Sequence, residues 1–196
     1  MTTPPALLEE LKAAGVPVAS LSDLVNAKRS YPPAVPVLLG WLERLDAVPR
    51  HERGSVREML IRALTVPAAR GSAAPALIEE FRRAEDPSEF GIRWVIANAL
   101  SVVADGEVFN DLVELALDRS YGRAREMLML ALARTRDPRA VAVLVDMLDD
   151  EVVAGHAVMA LGQLKEREAR AAIEPFLDDE RPWVRKEAKK ALAKLA

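Results

Sequence analysis

The chain has 196 residues, 51% of them hydrophobic and 5% aromatic, with a formal net charge of −3. That length suits one ordinary domain or a short solenoid with a sizeable core. Having no cysteine excludes disulfides, thiolate nucleophiles and cysteine-ligated metals, and the slight acidity lacks the basic surplus with which proteins track phosphates.

The first segment, MTTPPALLEELKAAG, carries acidic residues and no basic stretch leading into an apolar one, so no signal peptide is expected. No run of about 18 uncharged apolar residues occurs, so no membrane span is expected either, and a cytoplasmic location follows as the expectation. ALLEELKAAG reads as a short helix that Gly15 stops, and SLSDLVNAK as a second, capped by Ser20 or Ser22. Residues 1–30 are thus expected to form a helical cap over the apolar flank of the helices after residue 30, as a stacked array requires.

From residue 31 onward one segment recurs five times: VREMLIRAL, IRWVIANAL, AREMLMLAL, VAGHAVMAL and VRKEAKKAL. The closing leucines are Leu64, Leu100, Leu132, Leu161 and Leu192, at steps of 36, 32, 29 and 31 residues. A period in this range signals a repeat architecture. Apolar residues three and four apart predict helices throughout, with first helices near 34–45, 74–84, 108–117, 138–148 and 169–177. Second helices are predicted near 55–65, 90–103, 122–133, 152–164 and 182–195. Pro75, Pro138 and Pro182 mark helix starts, where a missing N–H is tolerated, and Gly106 stands where a helix ends and a turn begins. The joint DAVPRHERGS is the longest between elements. The expected fold is all-α: a right-handed α-solenoid of about five helix pairs, with repeats near 31–67, 68–104, 105–136, 137–165 and 166–196 in one continuous domain.

Three of the repeats place an Asp seven residues before an Arg that opens the second helix: Asp86 with Arg93, Asp118 with Arg125, and Asp178 with Arg185. With the Ala-Leu closure, this pattern resembles the HEAT repeat family, in particular the short bacterial HEAT-like repeats also seen in phycobilisome lyases. The resemblance covers roughly residues 31–196. It implies that these Asp and Arg side chains form a hydrogen-bonded ladder between neighbouring repeats, and that the second helices line a concave surface. Two repeats depart from the pattern: the fourth has Ala154 in place of Arg, and the first has Arg57 without a matching Asp.

Counted back from each closing Leu, the residues one, four and eight earlier share a helix face. They are Val56, Leu60 and Ala63; Ile92, Ile96 and Ala99; Ala124, Leu128 and Ala131; Val153, Ala157 and Ala160; Val184, Ala188 and Ala191, all small or apolar and expected in the core. The residues six and two earlier fall opposite: Glu58 and Arg62, Trp94 and Asn98, Glu126 and Leu130, Gly155 and Met159, Lys186 and Lys190. Given the implied concave surface, Glu58, Arg62, Trp94, Asn98, Glu126, Leu130 and Met159 are the candidate partner-binding residues. Trp94 and Met159 either line a groove there or pack against neighbouring helices. Gly155 and Gly162 are expected to permit close packing. Met59, Val95, Met127, Ile61, Ala97, Met129 and Val158 lie on the flanks and are expected between repeats.

No motif carries chemistry. His51 and His156 are the only histidines and form no ligand cluster, and no phosphate loop, dinucleotide turn or nucleophile elbow occurs. Asp149–Asp150 and Asp178–Asp179 sit at predicted helix starts, where capping accounts for them. The expectation is therefore a non-catalytic module with no cofactor, metal or catalytic residue, monomeric, binding another protein on its concave face. Two alternatives stand beside it: an enzyme related in fold to bilin lyases, and nucleic-acid contact through the basic residues of the last helix, Arg181, Arg185, Lys186, Lys189, Lys190 and Lys194. Nucleic acid is otherwise not expected.

Overall fold

The computed structural model describes residues 3–27, 30–85 and 91–195, which form twelve α-helices and no strand. Two short helices come first, α1 (Pro5–Ala13) and α2 (Leu21–Val25). Five pairs follow: α3 (Ala34–Glu43) with α4 (Arg53–Leu64), α5 (Ala74–Arg83) with α6 (Ile92–Val103), α7 (Phe109–Leu117) with α8 (Glu126–Thr135), α9 (Ala140–Asp146) with α10 (Ala154–Leu164), and α11 (Arg170–Ile173) with α12 (Pro182–Lys194). Each first helix packs on the second helix of its own pair. The second helices pack in succession, α4 on α6, α6 on α8, α8 on α10 and α10 on α12. This is an α-solenoid.

The Ala-Leu closure explains the stacking. All five closing leucines and the alanines before them are buried. Each Leu contributes roughly 1.5–3 kcal/mol by leaving water, and the Ala beside it lets the next helix approach closely. The predicted core stripe is buried at every position except Ile92, which is partly covered.

α1 packs on α3 and α2 on α4, so the leading helices cover the first pair. Ser20 stands at the N-cap of α2, and the Asp23 carboxylate accepts from the backbone N–H of Ser20 at 3.0 Å and of Ala19 at 2.8 Å. The buried Tyr31 hydroxyl lies 3.0 Å from both the Leu24 and the Ala63 carbonyl oxygens, tying the cap to the end of α4. Burial pushes its pKa up. The joint after α3 is held by Arg53, which donates to the Val48 and Asp46 carbonyls at 2.9 and 3.0 Å.

Two predicted helices differ from what forms. α8 begins at Glu126, four residues later than expected, because Gly122 adopts φ +50° and ψ −131° and turns the chain inside a stretch of 3-10 geometry over Arg119–Arg125. α11 is one turn long and runs into a 3-10 segment over Glu174–Asp178, where Pro175 has no N–H for the α-helical ladder. Gly106 opens a 3-10 turn into α7, with the Asp105 carboxylate accepting from the Glu107 N–H at 3.1 Å. No described helix is long and apolar enough to cross a membrane.

Candidate functional site

The second helices present three kinds of surface: a side toward their own first helix, two seams toward neighbouring second helices, and an open face. Burial locates the open face one position away from the predicted stripe. The residue six before the closing Leu turns into the seam with the next pair. Glu126 is only 6% exposed, and Gly155 is buried. Trp94, at the same position in α6, is half-buried. Lys186 is exposed at the corresponding place in α12, where no described helix follows. The open face is carried instead by the residues two, five and nine before the Leu, spaced at one and two helical turns. Asn98, Leu130 and Met159 stay on it half-buried, and Arg62 and Lys190 are exposed. Of the candidate residues, Glu126 is therefore removed from contact with a partner, and Glu58 is occupied by an ion pair with Arg62 at 2.8 Å.

The seam between α10 and α12 passes over two glycines of α10, Gly155 and Gly162. The Trp183 ring lies on Gly155, where a Cβ would overlap it. At Gly162 a Cβ would come within 2.7 Å of the Ala191 Cβ and 2.9 Å of its Cα. Both glycines permit close packing, as the sequence suggests. Trp183 also stands 5.3 Å from the His156 ring, tilted at 55°, and remains 42% exposed. Nothing in the repeat consensus singles it out. Its place nine residues before Leu192, two turns from Lys190, is the signal that would have put it on the open face.

A polar cluster backs this patch. The Arg123 guanidinium Nε donates to the buried Glu126 carboxylate at 2.8 Å. His156, on the facing helix, is pushed below its ordinary pKa by burial; the Glu126 carboxylate opposes that shift, while Arg123 and Arg181 add to it. No group of three or more potential metal ligands occurs among the described residues.

The Asp–Arg ladder exists with a different pairing. Arg93 and Arg125, seven before their closing Leu, each donate to a carbonyl near the end of their own first helix and reach forward toward the next pair. Arg93 Nε donates to the Phe81 carbonyl at 3.2 Å and its guanidinium lies 4.8 Å over the Tyr121 ring. Arg125, 2% exposed, donates to the Ala116 carbonyl at 3.1 Å and to the Asp150 carboxylate at 2.9 Å, 25 residues onward. Asp118, its predicted partner, is exposed and accepts from the Ser120 N–H at 2.9 Å; the Ser120 side chain chiefly lowers its pKa, with that N–H and the charges of Arg125 and Arg93 assisting. Arg57 likewise reaches forward, to Glu80 at 3.2 Å. Arg185 donates to the Asp179 and Glu180 carbonyls at 2.7 and 3.0 Å rather than to Asp178, which is exposed. Asp86 lies outside the described residues.

Where Ala154 replaces the ladder Arg, the connection is made from the other side. Arg181 donates to both oxygens of Asp179 at 2.9 Å and to the Glu151 carbonyl of the preceding pair at 2.8 Å. Those bonds hold the Asp179 carboxyl down at a pKa of about 2. Asp150 shows the same balance: burial drives its pKa up, but bonds from Arg125 and the Val152 N–H, with the charges of Arg125 and Arg119, leave it below the usual range.

Stacked pairs, an Ala-Leu seam and a forward-pointing Arg define a helical-repeat solenoid. Comparison with known proteins agrees: residues 148–196 match the HEAT repeats model and residues 124–150 the PBS lyase HEAT-like repeat model. Among solved structures, a designed armadillo repeat protein is similar in fold, with a TM-score of 0.52 at 18% identity, covering 97% of this chain and 100% of that one. No curated protein matches the chain.

Proposed function

We propose that the protein is a non-catalytic interaction module that binds another protein on a concave face formed by its second helices. The observation that carries this is the set of uncovered apolar side chains, Leu130 and Met159 half-buried and Trp183 at 42% exposure, on adjacent helices whose Ala-Leu stripes are sealed in the core. A contiguous apolar strip with polar flanks is the surface a repeat protein uses for recognition, and Trp and Met are effective contact residues. Arg125 with Asp150, and Arg181 with the Glu151 carbonyl, link one pair to the next, which is structural rather than catalytic employment. Residues 31–196 act in this scheme as one recognition unit behind the cap at 1–30, monomeric and cytoplasmic.

The test is affinity capture with the wild type, a Leu130→Asp/Met159→Asp variant and a Leu117→Asp control. Leu117 is 56% exposed at the end of α7, outside the open face. Partners held by the face should be lost from the double variant, by about 2 kcal/mol of binding energy or more, and kept by the control. Retention of every partner by the double variant refutes the proposal.

A further inference from the structure

The charges on the open face are not balanced, and the imbalance specifies a partner. Each carboxylate on or behind it is already matched by a cation on its own helix or the turn before it: Glu58 by Arg62 at 2.8 Å, Glu126 by Arg123 at 2.8 Å, and Glu187 by Lys190 at 2.6 Å. The cations are in surplus. Arg134 and Lys194, both two residues past the closing Leu and so in the same register of α8 and α12, have no carboxylate within ion-pair distance among the described residues. Arg134 spends only its Nε, on the Ser101 carbonyl at 3.2 Å. Lys186, at the edge of the face, is equally without a carboxylate. This local positive surplus stands in a chain whose net charge is −3.

The opposite edge, at the N-terminal ends of α10 and α12, has the reverse character. Glu151, Asp178, Asp179 and Glu180 line an open depression of about 620 Å³ there, with Arg181 as its one cation, paired to Asp179 at 2.9 Å. Between the two edges lie the mid-helix apolar residues Leu130 and Met159, while Trp183, the second residue of α12, stands at the acidic edge itself. The face is thus banded: acidic edge, apolar middle, basic edge.

Building on the concave-face reading, we infer that the occupant is an acidic segment of a partner protein bearing apolar side chains, which seats those side chains on Leu130 and Met159 and its carboxylates along the edge of Arg134 and Lys194. The carboxylates at the far edge repel the segment and confine it to the C-terminal half of the helices, so the banding sets its position as well as its sign. A basic segment would meet the unpaired cations and gain only from the acidic edge, away from the mid-face row of Leu130 and Met159.

Fluorescence anisotropy decides this with a labelled peptide of about fifteen residues repeating Asp-Glu-Leu, and a counterpart with lysine at every acidic position. The acidic peptide should bind about tenfold more tightly or better, and weaken as salt is added. Arg134→Glu/Lys194→Glu should cost about tenfold in affinity, with the Arg134→Gln/Lys194→Gln variant intermediate. Lys189→Glu, exposed on the same helix outside the face, should leave binding unchanged. Helical circular dichroism confirms that each variant is folded. Equal binding of the two peptides, or indifference to both paired changes, overturns the inference. Captured partners that are lost with Leu130→Asp/Met159→Asp but kept with Arg134→Glu/Lys194→Glu overturn it while leaving the concave-face reading standing; partners kept by both variants overturn that reading too.

Discussion

Individual side chains in this array are judged by what lies one ångström beyond them, and two glycines show it. Gly155 and Gly162 lie near the two ends of α10, a helix in which glycine is less favourable than alanine by up to about 1 kcal/mol. A methyl at Gly155 would strike the Trp183 ring, which is 42% exposed and free to swing away. A methyl at Gly162 would strike the Ala191 Cβ and backbone, which cannot retreat without moving α12. Gly155→Ala should therefore leave the urea midpoint nearly unchanged while shifting Trp183 emission. Gly162→Ala should lose roughly 1–3 kcal/mol of stability, and an equal effect at both positions would contradict the seam geometry. Arg125→Ala should cost about 3 kcal/mol or more, because it strands the Asp150 carboxylate and the Ala116 carbonyl in a buried place. The core alanines and leucines were legible in the sequence because burial repeats with the helix. The seam position was not: residues six and two before the Leu differ by only about 40° around the axis. Which of them the next helix covers depends on where that helix lies, which periodicity does not contain.

At the level of helices and their joints, the ladder makes the same point. An Asp seven residues before an Arg fits a bond within one pair or a bond to the next, and the sequence spacing does not choose. The structure chooses the forward bond, since the first-helix carbonyls already hold the Arg at the seam. The late start of α8 and the shortening of α11 trace to Gly122 and Pro175, each a single residue overriding good helical periodicity. The substitute link at Arg181 carries a pH signature. Asp179 has a native pKa of about 2, below the unfolded value of about 4, so as pH falls the unfolded chain takes up its proton first. The stabilisation is complete above about pH 4 and disappears on going down to about 2. Asp179→Asn should flatten the stability loss across that window, measured as urea midpoints at about pH 5 and about pH 3. His156 adds an earlier effect of the same sign, since its depressed pKa means that acid below about 6.5 protonates the unfolded chain preferentially.

Across the whole molecule, stability is a matter of neighbours. α6 and α8 are flanked on both sides by second helices, and they make the most extensive contact in the array. Among the described residues, α1, α2 and α12 have packed helices on one side only. Arrays of this kind open from their ends, so amide hydrogen exchange should be slowest in α6 and α8 and fastest in α1, α2 and the last turn of α12. Uniform protection along the chain would mean that the pairs unfold as one block. The three tryptophans fall at three depths of this same array: Trp41 sealed in α3 at the N-terminal side, Trp94 half-buried at a central seam, and Trp183 on the open face toward the other end. Their emission maxima should differ accordingly, the exposed indole being the reddest. With single Trp→Phe replacements to separate them, the protein is its own three-channel optical probe, able to report fraying at one end, a shift in the middle, and an arriving occupant at the other without any attached dye.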